Sequence, residues 1–190
     1  MVKQRKVYAG IGSRETPSHI CEKMVEISRL LERKFSYTLR SGGAVGSDTA
    51  FEQGVIQYKE IFYTYGYRVN GERVIQYDQQ DWDFATKMFK QYHPSKGNIK
   101  NAGVKNLLIR NTFQIFGVGI DSERVDFVLC YTPDGSDGSS TSDNTGGTGQ
   151  ALRIAHDYKI PVYNLKHFIG LTAKEIVDFI ISDLSVNNSL

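Results

Sequence analysis

Three glycine-rich turns, each set between a strand-like run and a helical run, constrain this chain more than any other feature. They are Gly10-Ile11-Gly12-Ser13-Arg14, Ser41-Gly42-Gly43-Ala44-Val45-Gly46-Ser47-Asp48 and Gly146-Gly147-Thr148-Gly149-Gln150. Glycine lets backbone N–H groups approach an anion with no Cβ in the way. The helix that follows adds free N–H donors and a favourable dipole. One such turn is ordinary turn chemistry. Three on one sheet edge predict a phosphate-binding cleft at the switch point of a doubly wound sheet. No Gly-Lys-Ser/Thr follows any of them, so none is a Walker A loop, and the first is not a full GxGxxG, so no dinucleotide cofactor is expected.

The runs between the turns support that sheet. Strands are expected at 6–10, 35–39, 61–65, 125–131 and 160–164. The fourth is a near-continuous apolar run suited to burial on both faces. A helix opened by Pro17-Ser18 carries Ile20, Met24, Ile27 and Leu31 at helical spacing. A short helix follows from Asp48, and a later one holds Ala151, Ile154 and Ala155 on one face. Thr172 with Glu175 forms a capping box for the last helix. The alternation predicts an α/β, Rossmann-like doubly wound parallel sheet, order near 3-2-1-4-5, with helices on both faces. Residues 1–190 are expected to form a single nucleotide-binding domain. A helical insertion at about 66–118, with helices at 80–92 and 101–116, is placed over the carboxyl ends of the strands.

Composition narrows the partners. Hydrophobic residues make up 40% and charged residues 23% of the 190, which is globular rather than disordered. No run approaches the ~20 apolar residues that span a bilayer, so no membrane partner is expected. The N-terminus has no apolar signal region, so a cytoplasmic location is expected. Cys21 and Cys130 lack CxxC spacing and read as buried, reduced thiols. Four scattered histidines make no metal set, so neither a metal nor a cofactor is expected. A net charge of +2 is low for an extended nucleic-acid surface.

Local charge is less even. Residues 84–112 hold Lys87, Lys90, Lys96, Lys100, Lys105 and Arg110 with no Asp or Glu, and Tyr65, Tyr67, Tyr77, Trp82, Phe84, Phe89 and Tyr92 lie among or near them. Cations beside aromatic faces suit phosphates and bases; the other reading is two ordinary helices with aromatics inward and lysines solvated. His93-Pro94 is a further candidate for the cleft. The polar stretch 134–144 reads as a flexible surface loop, or as a lid on the third turn.

Candidate ligand- and phosphate-binding residues are therefore Gly10, Gly12, Ser13, Arg14, Ser41, Gly42, Gly43, Ala44, Ser47, Arg110, Asn111, Gly146, Gly147, Thr148 and Gly149. Arg14 suits bidentate contact with a phosphate. Ser47 and Asp48 read as an N-cap pair, with Asp48 also able to hold a ribose hydroxyl. Glu52, one turn on, is expected to point the same way. A carboxylate beside a sugar stabilises an oxocarbenium-like centre or activates water, so Glu52 and Asp48 are the catalytic candidates.

Tyr8-Ala9-Gly10-Ile11-Gly12-Ser13-Arg14, Arg40-Ser41-Gly42-Gly43-Ala44, Arg110-Asn111 and Gly146-Gly147-Thr148-Gly149 together resemble the SLOG superfamily across 7–165. That superfamily joins DNA-processing protein A, the LOG-type nucleotide phosphoribohydrolases and nucleotide-sensing domains of bacterial immunity. The nearest resemblance is to small stand-alone members from tailed phages. Ser41 to Ala44 resembles the turn of DNA-processing protein A beside which basic residues contact single-stranded DNA. Gly146 to Gly149 resembles the glycine core of the LOG motif, but Thr145 stands where that motif has proline, Gln150 where it has threonine and Arg153 where it has the catalytic glutamate. The resemblance implies a protein that binds a phosphate-bearing nucleotide or nucleotide-derived signalling molecule. In a phage it would act in the host cytoplasm, sequestering an immune second messenger. It also implies two alternatives, a nucleotide N-glycosidase and a single-stranded DNA-binding recombination mediator, and a homo-oligomeric state.

Overall fold

The computed structural model describes residues 6–95, 98–119 and 122–187. Residues 1–5, which include the expected signal-free N-terminus, and Lys96 and Gly97 of the basic stretch lie outside them.

The elements run β1 (Val7–Gly12), α1 (Ser18–Phe35), β2 (Thr38–Ser41), α2 (Ser47–Gly54), β3 (Lys59–Tyr63), β4 (Gly66–Val69), α3 (Gln79–Tyr92), α4 (Ala102–Phe116), β5 (Phe127–Tyr131), α5 (Gly149–Asp157), β6 (Val162–Asn164) and α6 (Ala173–Asn187). One sheet has the order β4-β3-β2-β1-β5-β6. Its five parallel strands stand in the expected 3-2-1-4-5 order, and β4 adds an antiparallel edge on β3. Periodicity did not reveal β4, because Gly66 and Arg68 break the apolar alternation in a four-residue strand.

Every expected strand shifts by a residue or more at one end or both, and two of the shifts have a clear local reason. The second strand begins at Thr38 rather than 35, because α1 keeps Phe35 and ends at Ser36 in the left-handed conformation (φ 59°). The third ends at Tyr63 rather than 65, where the chain turns back into β4.

Both faces of the sheet are covered, as parallel strands require. On one side α1, α2 and α6 pack Ile20, Met24, Ile27, Leu31, Phe51 and Ile180 against Tyr8, Leu39, Phe127 and Leu129. On the other, Met88 and Ile115 join Ala151, Leu152, Ile154 and Ala155 over Val7, Ala9, Ile11, Val128 and Cys130. The segment at 66–118 is therefore more than a cover laid over the strand ends. Its helices α3 and α4 form the crossover from β3 to β5 and cover part of the second face, while α4 lines the carboxyl edge from Val104 to Gln114. Tyr67, Tyr77, Trp82 and Phe89 gather around Phe62 and Phe113 in a third cluster, while Lys87, Lys90 and Lys100 are exposed. In the described part of the basic stretch, the helices are thus amphipathic with most of their aromatics inward; of these aromatics only Phe84 is exposed.

Cys130 is buried in β5 and Cys21 is half-buried, both as free thiols. Among the described residues no helix is long and apolar enough to cross a membrane, and no group of three His, Cys, Asp or Glu side chains could hold a metal ion.

Candidate functional site

The carboxyl ends of β1, β2 and β5 open into a cleft of about 400 Å³. Its walls are Gly12, Ser13 and Arg14 after β1, Ala44 and Asp48 after β2, Arg110, Asn111 and Gln114 on α4, and Gly146, Gly147 and Thr148 before α5. All three glycine turns thus reach one rim.

The second turn is the most tightly built. Arg110 lies directly over Gly42, where a Cβ would coincide with its guanidinium; only glycine lets the arginine rest on the loop. The Gln114 carbonyl oxygen accepts from Arg110 Nη1 at 3.0 Å and from Gly42 N at 2.9 Å. The Asp48 carboxylate lies 3.9 Å from Arg110 Nη1 and accepts from Ala44 N at 3.4 Å. Arg110 and Asp48 are only 4% and 5% exposed, so this is a buried ion pair. Burial pushes the Asp48 carboxyl up to about 6, against the pull of Arg110, the amides of Ala44 and Gly42, and Arg14. Burial also lowers Arg110, against the attraction of Asp48. Loss of hydration outweighs attraction across 3.9 Å for both partners. Arginine nonetheless keeps its charge, and Arg110 Nε has no hydrogen-bond partner.

Several candidates prove to be builders of the rim rather than its lining. Ser47 is not an N-cap, for Gly46 holds that position. Instead Ser47 Oγ hydrogen-bonds Thr16 Oγ1 at 2.7 Å and its N–H donates to Ser13 O at 3.1 Å, stitching the first turn to the second. Ser41 Oγ donates to Gly10 O at 2.6 Å inside the sheet. Gly10 is a packing glycine, since a Cβ there would meet Leu39 and Phe51 at 2.7 Å. Gly43 rests on Tyr63, outside the cleft lining. Glu52 does not share the direction of Asp48. It sits in the last turn of the short α2 and pairs with Lys59 of β3 at 3.4 Å, which removes it from the cleft and from the catalytic candidates.

The third turn is prepared by the polar stretch before it. Asp134 accepts from Ser142 Oγ at 2.6 Å, from Thr145 Oγ1 and from Ser136 N at 3.3 Å. Against a burial penalty, those donors hold its carboxyl well below the usual range. Ser142 and Thr145 cap a 3-10 turn at Asp143–Thr148 reciprocally. The stretch is a largely exposed surface loop pinned by its own serines, threonines and aspartates. Gly149 opens α5, its N–H donating to Gly146 O. Asn111 Nδ2 donates to Gly147 O at 3.0 Å, tying α4 to the turn. Arg153 braces the outer side, donating to Tyr92 O at 2.6 Å and Thr141 Oγ1 at 2.7 Å.

His93 is not in the cleft. Its Nδ1 bonds Ser95 Oγ at 2.8 Å, its ring lies against Phe89, and burial lowers its pKa. Lys87, Lys90, Lys100 and Lys105 do not line the cleft either. Gln114 was missed, although its i, i+4 spacing from Arg110 places both on one face of α4. The apolar wall formed by Val104, Leu107 and Leu108 was also missed.

No family model matches this sequence, and no curated protein matches it. Among solved structures the fold is similar to DNA processing protein A from Helicobacter pylori, with a TM-score of 0.54 and 14% identity over 94% of this chain and 81% of that one. That structure is described for its single-stranded DNA binding mode. At this identity the likeness establishes a shared Rossmann-like fold.

Proposed function

We propose that the chain is one nucleotide-binding unit whose cleft takes a phosphate-bearing nucleotide or a nucleotide-derived signalling molecule. The observation that carries this reading is Arg110, a buried cation in the cleft wall with an unpartnered Nε. A guanidinium left with an unused donor beside glycine turns suits a phosphate oxygen. The floor is charged, through Asp48, Arg110 and Arg14, while Val104, Leu107 and Leu108 form an apolar wall. A molecule with one anionic and one flat apolar end fits both. The volume of about 400 Å³ lies in the usual range for small-ligand sites. The resemblance to small phage proteins makes a sequestered immune signal the natural ligand class, and a homo-oligomer the natural assembly.

Titration calorimetry with inorganic phosphate, nucleoside monophosphates and ADP-ribose tests the reading. Saturable heat from a nucleotide, displaced by phosphate, is the expected result. No heat with any of them overturns it.

A second reading is favoured by the fold neighbour, which binds single-stranded DNA. It predicts oligonucleotide binding that weakens steeply with salt; no shift at low salt would reject it. The enzymatic alternative now rests on Asp48 in place of Glu52. It predicts base release from a nucleotide that Asp48→Asn abolishes, and no released base would remove it.

A further inference from the structure

We propose that the stacked pair Tyr63–Tyr65 receives the base of a second nucleotide, joined through phosphate to the one held in the cleft. This inference rests on the cleft reading above and extends it to the size of the ligand.

The second glycine loop has two sides. Gly42 lies under the Arg110 guanidinium. Gly43, with φ +62°, lies on the ring of Tyr63, where a Cβ would stand 3.0 Å from Cε1. Adjacent Cα atoms are 3.8 Å apart, so the guanidinium and that ring edge are within about 11 Å of each other, the reach of one nucleotide unit. The loop thus runs from the cleft wall at Arg110 to the Tyr63 ring.

The surface ends in an open aromatic face. Tyr65 stacks on Tyr63 with ring centroids 5.4 Å apart and planes at 12°. Tyr63 is half-buried on β3, and its backbone carbonyl accepts from Tyr77 Oη at 2.7 Å, which anchors the main chain beneath the inner ring. Tyr65 is 62% exposed, so its outer face is free to water. A large ring held flat by another ring, with one face bare, is the geometry on which bases stack without sequence preference. Arg68 pairs with Ile61 across the β3–β4 hairpin, which places it on the same face as Tyr63; burial raises the pKa of the Tyr63 hydroxyl, the Glu52 carboxylate adds to that, and Arg68 opposes both. It is placed to meet the next phosphate. The other aromatics of this region, Tyr67, Tyr77 and Trp82, are packed inward around Phe113 and offer no such face.

One ligand chemistry, two phosphate-linked nucleotides, has two sources: a small dinucleotide or a DNA strand. Four probes separate them: thymidine monophosphate, 5′-phosphorylated dithymidylate, a pyrophosphate-linked dinucleotide and a twelve-residue oligothymidylate. Tyr65→Ala, at an exposed turn position, should leave monophosphate affinity unchanged and weaken the two-base ligands about 5- to 100-fold. Tyr65→Trp should keep affinity and report the stacked base by quenched fluorescence. Loss confined to the small dinucleotides assigns the subsite to a soluble ligand, and loss that extends to the oligothymidylate assigns it to a strand; both uphold it. If the wild type binds monophosphate but Tyr65→Ala binds every two-base probe as the wild type does, the inference fails and the cleft reading stands. If the wild type binds none of the four, both fail.

Discussion

The second and third glycine turns look equivalent as text and differ as sites. In the second, Gly42 and Ala44 already donate to Gln114 and Asp48, and a guanidinium covers the loop. The protein has placed its own anion, Asp48, where a ligand's anion would sit. The third is open. Gly146 has nothing within 4 Å of where a Cβ would stand, and the nearest atom to that point on Gly147 is Leu108 Cδ2 at 3.8 Å. A glycine turn is available to an anion only where the rest of the fold leaves it unfilled. Under the proposed function the phosphate therefore belongs at the third turn, beside Arg110 in the cleft wall, with the second turn serving as the mount for Arg110.

The largest expected effect tests whether the second turn is held by its internal pair. Arg110→Met leaves Asp48 buried without a counter-ion, which should cost about 3–5 kcal/mol of unfolding free energy at pH 8. At pH 5, where Asp48 is protonated, the loss should be smaller. Denaturant unfolding at both pH values checks this, and an equal loss would assign the effect to packing.

Next is the proton on Asp48. Its carboxyl stands at about 6 in the folded chain against an ordinary 3.8, so the folded state holds the proton more tightly. That contribution is complete below about pH 4 and is lost as pH rises through about 6, at most about 3 kcal/mol. Asp48→Asn should flatten this part of the stability profile. In the wild type, phosphate affinity should rise as pH falls through about 6, because the competing charge disappears. An affinity independent of pH would break the account of a self-filled turn.

A direct comparison of the two loops follows. Gly42→Ala places a methyl on the guanidinium and should cost about 2–3 kcal/mol. Gly147→Ala has no positive φ to hold and meets only Leu108 Cδ2 at 3.8 Å, so it should cost less than about 1 kcal/mol. Thermal unfolding of both variants should rank them in that order, and the reverse order would undo the contrast. The smallest effect is at Glu52. Its pair with Lys59 is partly solvated, so Glu52→Gln should change stability by less than about 0.5 kcal/mol and leave nucleotide binding as it was.

Much of this was legible before any coordinates. The apolar run at β5, the helical spacing of Ile20, Met24, Ile27 and Leu31, and the Thr172–Glu175 capping box are local patterns. The box appears as expected, with Thr172 N–H donating to Glu175 at 2.8 Å. Gly12, Arg14, Arg110 and Gly147 meet on one rim because the doubly wound topology brings successive strand ends together. Glu52 was misplaced because four residues return a side chain to the same helix face but do not say what lies opposite; in α2 that is Lys59. The stretch at 134–144 is the expected surface loop, but composition did not show that its serines and aspartates hydrogen-bond one another and their backbone.

The sequence by itself determined the order of the five parallel strands, their alternation with helices and the three glycine turns, since these follow from side-chain periodicity and from the missing Cβ. Only the tertiary structure decided which turn is filled and which is open. That choice depends on groups remote in the chain, Arg110 and Gln114 upon Gly42 and Asn111 upon Gly147, and on how much water the packed helices exclude from the charges between them.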